Sequence, residues 1–122
     1  MPLREDPLAR RLVARITTDT AVAHALSTRF VCAARTAGAK PPTVQSSQYK
    51  LFTTELSQRV CREALDVMGA AGQLREGQDD APLRGRFEGA YRACVIDTLD
   101  GGSCEVQKNI IARRHLGLPK NS

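Results

Sequence analysis

Two adjacent glycines begin the part of the chain whose residue types could support chemistry. Gly101-Gly102 is followed by Ser103, Cys104 and Glu105, and then by a helical pattern. Glycines adopt backbone conformations that are closed to other residues, and they let the chain approach a ligand closely. The free N–H groups and the positive dipole end of the following helix suit an anionic or polar part of a cofactor. An ordinary capped helix after a glycine turn is the simpler interpretation of the same residues.

The cysteines are the other candidate ligands and nucleophiles. The four of them, Cys32, Cys61, Cys94 and Cys104, are widely and irregularly spaced. They form no C-x-x-C pair and have no clustered histidines beside them, so we predict no metal site. We expect Cys32, Cys61 and Cys94 to be reduced thiols packed in the core.

Four helical segments must position these residues. The first is predicted from about Pro7 to Ala37, with Asp6 as N-cap and Gly38 as the left-handed residue that closes it. The second follows Thr43, a candidate N-cap, and ends near Met68. Its outer face is predicted to carry charged residues, namely Lys50, Glu55, Arg59, Arg62 and Glu63.

The third and fourth helices are shorter. The third is predicted over about residues 83–99, where Gly85 and Gly89 weaken it by about 1 kcal/mol each relative to Ala and allow close packing. Its inward candidates share a helical spacing and are Phe87, Tyr91, Cys94, Val95 and Thr98. The fourth is predicted to follow Ser103 as N-cap, with Val106, Ile110 and Ile111 facing inward.

The order and lengths of these segments predict the fold class. Short connections between long amphipathic helices favour antiparallel packing, and no segment alternates as a strand does. We therefore predict an all-α, four-helix up-and-down bundle that forms a single domain over residues 1–122.

Composition restricts the function classes. The chain is 42% apolar and 25% charged, which is ordinary for a folded soluble domain. Its formal net charge of +5 comes from basic residues scattered beside acids, with no interleaved aromatics. That pattern disfavours nucleic-acid binding but is compatible with an anionic ligand such as a phosphorylated cofactor. Neither a signal peptide nor an apolar run of membrane-spanning length is present, so we expect a cytoplasmic protein.

Two blocks of sequence carry a resemblance to a known family. The tail, residues 101–119, reads GGSCEVQKNIIARRHLGLP. It resembles the C-terminal signature of acyl-CoA dehydrogenases, in which a glycine pair and Thr or Ser precede a Glu-Ile/Val-Gln-Arg/Lys helix. The second block, KLF at residues 50–52, EL at 55–56 and ALDVMGAAG at 64–72, looks like the long helix before it and its glycine turn. The resemblance extends from about Asp6 to Lys120.

The resemblance implies a flavoprotein oxidoreductase of fatty acid metabolism. The family binds FAD at a subunit interface and oxidises the Cα–Cβ bond of an acyl-CoA thioester. By this resemblance Ser103, Cys104 and Glu105 contact FAD, and Gly102 lies near the acyl-CoA substrate. Asp66 stands where many members carry a glutamine that contacts the FAD pyrophosphate.

The resemblance assigns no catalytic residue in this sequence. One branch of the family places its catalytic glutamate immediately before the second glycine of the tail motif, and Gly101 stands there. Other branches place the glutamate on an earlier helix, upstream of these residues. Asp100 is adjacent but shorter, and we expect a solvated carboxylate at a helix end.

The resemblance also implies that the family's N-terminal helical domain, its middle β-domain and the first helix of the C-terminal bundle lie outside this sequence. We therefore expect these residues to be inactive alone, with acyl-CoA bound only in a completed assembly. The expected partner is a second copy or another acyl-CoA dehydrogenase subunit. Two alternatives stay open, a non-catalytic helical interaction or oligomerisation module and a truncated remnant.

Overall fold

The computed structural model describes residues 2–120 and consists of four α-helices joined by turns. The helices are α1 (Pro7–Thr36), α2 (Thr43–Met68), α3 (Arg86–Asp97) and α4 (Cys104–Arg114). Short 3₁₀ segments lie at Leu3–Glu5, Gly69–Gln73 and Pro82–Gly85. No strand occurs in residues 2–120, and the all-α four-helix bundle predicted from the sequence is confirmed.

Helix α2 is the centre of the bundle. It packs against α1, α3 and α4. Three of the five buried apolar residues lie on it, and the full set is Ala9, Leu56, Cys61, Leu65 and Cys94. Helix α3 runs antiparallel to α2, because Gln58 donates to the Cys94 carbonyl while the earlier Lys50 donates to the later Asp97 carbonyl. Helix α4 is also antiparallel to α2, because Lys108 lies beside Glu55 and Arg114 beside Thr43.

Ion pairs fix the register of the first two helices. Arg59 Nη2 lies 2.8 Å from Asp19 Oδ2, and one helical turn away Arg15 pairs with Glu63. The paired numbers rise on α1 as they fall on α2, so the two helices are antiparallel. The outward positions predicted for Arg59 and Glu63 are therefore wrong, because both side chains face α1.

The helix ends confirm two of the three predicted N-caps. Asp6 accepts a hydrogen bond from the Leu8 N–H at 2.9 Å, and Ser103 caps α4 through the Val106 N–H. The prediction for Thr43 is wrong, because it is the first helical residue and follows Pro42 directly. Pro42 has a proline-restricted φ of −78°, which is already close to helical and lets the helix begin without a side-chain cap.

The start of α3 departs most from the predicted boundaries. The prediction placed it at Leu83, whereas Leu83 and Arg84 adopt left-handed φ angles of 51° and 58° and the helix begins at Arg86. Gly85 lies outside the helix, with φ +70°, and does not weaken it. The close packing predicted at Gly89 is also wrong, because a Cβ there would meet nothing within 4 Å.

Helix α3 buries a narrower face than its apolar pattern indicated. Cys94 is buried, as predicted. Tyr91 and Val95 are 40% and 52% exposed, so the prediction that these two side chains face inward is wrong. Val106 on α4 is likewise 47% exposed. The reason is geometric, since α3 touches α2 along one stripe and nothing in residues 2–120 covers its opposite face. An apolar face thus remains open to solvent on α3.

Candidate functional site

The Gly-Gly turn (Gly101-Gly102) joins α3 to α4 and has the backbone geometry expected of glycine. Its φ angles are +65° and +100°, in the region that L side chains rarely adopt. Ser103 then accepts a hydrogen bond from the Val106 N–H at 3.4 Å, and α4 begins at Cys104. The turn therefore brings the N-terminal end of an 11-residue helix to the surface beside the end of α3.

Two side chains from other parts of the bundle hold this turn. The Nε2 of Gln107 donates to the carbonyls of Gly101 at 3.1 Å and Gly102 at 3.4 Å. The Nζ of Lys50, on α2, donates to the Asp97 carbonyl at 3.0 Å and also to the Asp100 carbonyl. Carbonyls that have no partner within α3 are thereby satisfied.

Neither residue is predicted from the sequence to support the turn. Lys50 was placed on the outer face of its helix, but it is only half-exposed and points to the end of α3. Gln107 is 6% exposed, the most buried residue of α4. A signal existed, because Gln107 precedes Ile110 and Ile111 by three and four residues and so shares their inward stripe.

Glu105 is the ionisable residue of the motif. Its side chain is exposed in the first turn of α4. The pKa of its carboxyl is lowered, first by a hydrogen bond from its own backbone N–H, then by one from the Ser103 hydroxyl and by the charge of Lys108. The carboxylate is consequently negative at neutral pH. Beside it, Cys104 is half-buried.

Asp66 lies at the other end of the bundle. It is exposed near the end of α2 and lines a cleft of about 450 Å³ together with Arg11, Arg15 and Leu12. Sixteen residues of helix separate it from Lys50, which at 1.5 Å per residue is about 24 Å. The structure therefore brings Gly102, Ser103, Cys104 and Glu105 together but leaves Asp66 far from them within one chain.

Among the described residues, neither Asp100 nor a metal-binding cluster provides a second centre. Asp100 is exposed, and its backbone carbonyl rather than its side chain contacts Lys50. No group of three or more His, Cys, Asp or Glu side chains in residues 2–120 could hold a metal ion. Within the same residues, no helix has the length and apolar character needed to cross a membrane.

The cysteines divide by burial. Cys61 and Cys94 are buried as predicted, but Cys32 is exposed, so its predicted core position is wrong. Its side of α1 faces solvent, whereas α2 and α3 enclose the other two. Burial raises the pKa of the Cys61 thiol, and the neighbouring Cys94 raises it further.

Comparison with known proteins identifies the class to which this bundle belongs. Residues 1–116 match the family model described as the C-terminal domain of acyl-CoA dehydrogenase. The chain therefore belongs to the acyl-CoA dehydrogenase family, and it corresponds to the C-terminal part of that family's fold.

Individual relatives agree with this placement. The acyl-CoA dehydrogenase FadE26 of Mycobacterium tuberculosis is 44% identical over 82 residues, which are 67% of this chain and 20% of the relative. The acyl-CoA dehydrogenase IpdE1 of the same organism is 31% identical over 121 residues, 97% of this chain and 29% of the relative. The chain thus spans less than a third of the length of these relatives.

Solved structures show the same correspondence in three dimensions. A chain of the ChsE4-ChsE5 complex from Mycobacterium tuberculosis superposes with a TM-score of 0.86 at 33% identity, over 98% of this chain and 30% of that one. The Tcur3481-Tcur3483 steroid acyl-CoA dehydrogenase gives a TM-score of 0.90 at 27% identity, again over 98% and 30%. Both structures contain two different subunits.

Proposed function

We propose that these 122 residues act as the C-terminal helical domain of an FAD-dependent acyl-CoA dehydrogenase, which introduces a double bond between the α and β carbons of an acyl-CoA thioester. In this proposal Ser103, Cys104, Glu105 and Asp66 contact FAD, and Gly102 lies near the acyl-CoA. The site operates in the cytoplasm. The observation that carries the proposal is the Gly-Gly turn, held from two sides, at the start of α4.

The start of α4 has donors to offer a polar cofactor. In residues 2–120, the backbone N–H groups of Gly102, Ser103 and Cys104 have no protein acceptor. Such N–H groups at a helix N-terminus suit the oxygen atoms of a ribityl chain or a phosphate. The Ser103 hydroxyl and the half-buried Cys104 extend the same polar edge. These features support a cofactor contact here.

The distance between the two groups of residues favours a site shared by two chains. About 24 Å of α2 separates Asp66 from Lys50, which contacts the end of α3 beside the Gly-Gly turn, so one chain does not bring the two groups together. Asp66 would repel a pyrophosphate, but Arg11 and Arg15 line the same cleft. Since Glu63 already pairs with Arg15, Arg11 is the cation available to offset that repulsion.

The catalytic base must come from residues outside these 122, whether joined to them or carried on another chain. Gly101 has no side chain, and Asp100 is exposed at the end of α3. The open bundle also gives no walls that would exclude water from a flavin ring or orient a thioester. We therefore expect no turnover of acyl-CoA by the isolated 122 residues.

A second candidate function is a non-catalytic interaction or oligomerisation module, and a truncated remnant with no present function is the other alternative. The exposed apolar surface at the end of α3 favours the interaction module. Val95 and Ile96 on the helix are 52% and 66% exposed, and Leu99 in the turn that follows is 69% exposed. The partner in either proposal is a second copy or another acyl-CoA dehydrogenase subunit, because the structural relatives are two-subunit assemblies. Acyl-CoA then binds only in the completed assembly.

A flavin titration separates the two functions. The visible spectrum of FAD is recorded against rising concentrations of the purified chain, alone and with a candidate partner subunit. A saturable shift supports the cofactor role, and Asp66→Ala should change its affinity whereas Asp79→Ala, in an exposed loop, should not. The absence of any shift with either preparation would leave the interaction module.

The interaction module has its own test. The double substitution Ile96→Asp and Leu99→Asp places two charges on the exposed apolar surface at the end of α3, and sedimentation velocity then measures assembly with the partner. Leu116→Asp is the matched control, because it is similarly exposed but lies after α4. Unchanged assembly of the double variant would exclude this face as the contact.

A further inference from the structure

We infer that Gln107 and Lys50 are positioning residues that set the orientation of the Gly-Gly turn, so that its backbone N–H groups point outward. This inference rests on the proposed function, because the turn is the same candidate site. The inference concerns the side chains that hold the turn, and these lie outside the glycine, serine and glutamate residues of the motif. The two residues come from α4 and α2 and act on adjacent parts of the turn.

The burial of Gln107 gives the first argument. An uncharged polar side chain that is 6% exposed needs partners, and its Nε2 finds them in the Gly101 and Gly102 carbonyls. A leucine of similar length at this position would fill the same space without either hydrogen bond. The contact is also close, since a Cβ on Gly102 would lie 2.8 Å from that nitrogen. The amide and the turn therefore fit each other.

Lys50 gives the second argument. Its ammonium group reaches the Asp97 and Asp100 carbonyls, where the negative dipole end of α3 meets the turn. A Cβ on Gly101 would lie 3.6 Å from the same nitrogen, so the cation sits directly against the turn. Lys50 thus fixes the side of the turn that leaves α3, and Gln107 fixes the side that enters α4.

Peptide planarity converts these contacts into a direction for the N–H groups. In a trans peptide the carbonyl and the following N–H point in opposite directions. When Gln107 holds the Gly101 and Gly102 carbonyls inward, the N–H groups of Gly102 and Ser103 must point away from it. In residues 2–120 neither N–H donates to the protein, so both stay available to a ligand.

The first experiment measures the turn itself. Backbone ¹⁵N relaxation of the wild-type chain should give order parameters of about 0.85 for Gly102 and Ser103, as for rigid backbone. Gln107→Leu should lower them towards about 0.6, whereas Asn109→Leu, an exposed amide on the same helix, should leave them unchanged. Rigid Gly102 and Ser103 in a folded Gln107→Leu variant would overturn the inference.

Lys50 provides an independent pair of variants if Gln107→Leu fails to fold. Lys50→Met removes the cation and should lower the order parameters of Asp100 and Gly101, while Lys50→Arg should restore them. If Lys50 acted only by filling space, the Lys50→Met and Lys50→Arg variants would have the same order parameters at Asp100 and Gly101. That equivalence would also overturn the inference.

The second experiment connects the turn to the flavin. In the preparation that binds FAD, Gln107→Leu and Lys50→Met should each weaken binding about tenfold, and Lys50→Arg should stay within about twofold of wild type. A mobile turn with unchanged FAD affinity would refute the positioning role. Failure of the wild-type protein to bind FAD would refute the proposed function instead, and relaxation alone would then decide whether the two residues hold the turn.

Discussion

Gly85 occupies a backbone position that no larger residue can fill without a shift of the neighbouring chain. Its φ is +70°, and an added Cβ would lie 2.4 Å from the backbone nitrogen of Glu76 and 2.6 Å from the carbonyl carbon of Arg75. Both contacts are with backbone, which cannot rotate away as a flexible side chain can. Gly85→Ala must therefore displace the loop before α3.

Two separate terms give the magnitude of that effect. The left-handed conformation costs a non-glycine residue about 1–2 kcal/mol. Relief of the overlap adds about 1–3 kcal/mol, the usual range for overpacked sites. The expected loss in the free energy of unfolding is thus about 2–5 kcal/mol, a large part of the stability of an ordinary domain.

Urea unfolding followed by far-ultraviolet circular dichroism measures the loss. Gly77→Ala is the matched control, because Gly77 is also left-handed, at φ +86°, but a Cβ there meets nothing within 4 Å. The control should lose only the conformational term of about 1–2 kcal/mol. Equal losses of unfolding free energy in the two variants would show that the overlap with Glu76 and Arg75 is relieved at no cost in free energy, and that the steric argument is wrong.

Three further substitutions or reactions test other parts of the bundle. Gly89→Ala should raise the unfolding free energy by about 1 kcal/mol in the same urea assay, because the residue is inside a helix with open space around it. The pKa of the Glu88 carboxyl is lowered from its ordinary 4.5, chiefly by the hydrogen bond from Arg92. The Glu88–Arg92 pair therefore contributes its full stabilisation to the folded state above pH 4.5, and this contribution is lost as the pH falls through the folded-state pKa. Unfolding free energies measured below pH 4.5 should accordingly depend less on pH in Glu88→Gln; parallel curves would contradict this. In the native protein a thiol reagent should modify exposed Cys32 rapidly and Cys61 only at the rate of unfolding, and equal rates would argue against the buried α2–α3 contact.

The sequence predicted the parts of the fold that depend on local rules. Asp6 and Ser103 precede helical patterns as capping residues should, and both cap their helices. Met68 ends α2 at the predicted position because Gly69 follows it. Local patterns failed at Leu83 and Arg84, whose left-handed conformations no side-chain preference indicates.

Residues whose role depends on neighbours distant in the chain were less predictable. The apolar residues Tyr91 and Val95 share a helical spacing with the buried Cys94, but nothing in residues 2–120 covers their side of α3. The motif identified the Gly-Gly turn because its residues are consecutive. It did not identify Lys50 as its support, because 50 residues separate that side chain from Asp100 and only the packing of α3 on α2 brings them together.

The central position of α2 gives the bundle two sets of contacts, one with α1 and one with α3 and α4. Helix α1 is attached to α2 by its own ion pairs and by the stacking of Phe30 on Tyr49, with ring centroids 6.4 Å apart. Helices α3 and α4 pack on α2 through other contacts, which include the buried Cys61 and Cys94 and the Arg114–Thr43 hydrogen bond. We expect the α3–α4 segment to undock as one unit while the α1–α2 hairpin stays formed, a subglobal fluctuation that native-state hydrogen exchange would resolve from global unfolding. The Gly-Gly turn would then belong to the less protected unit.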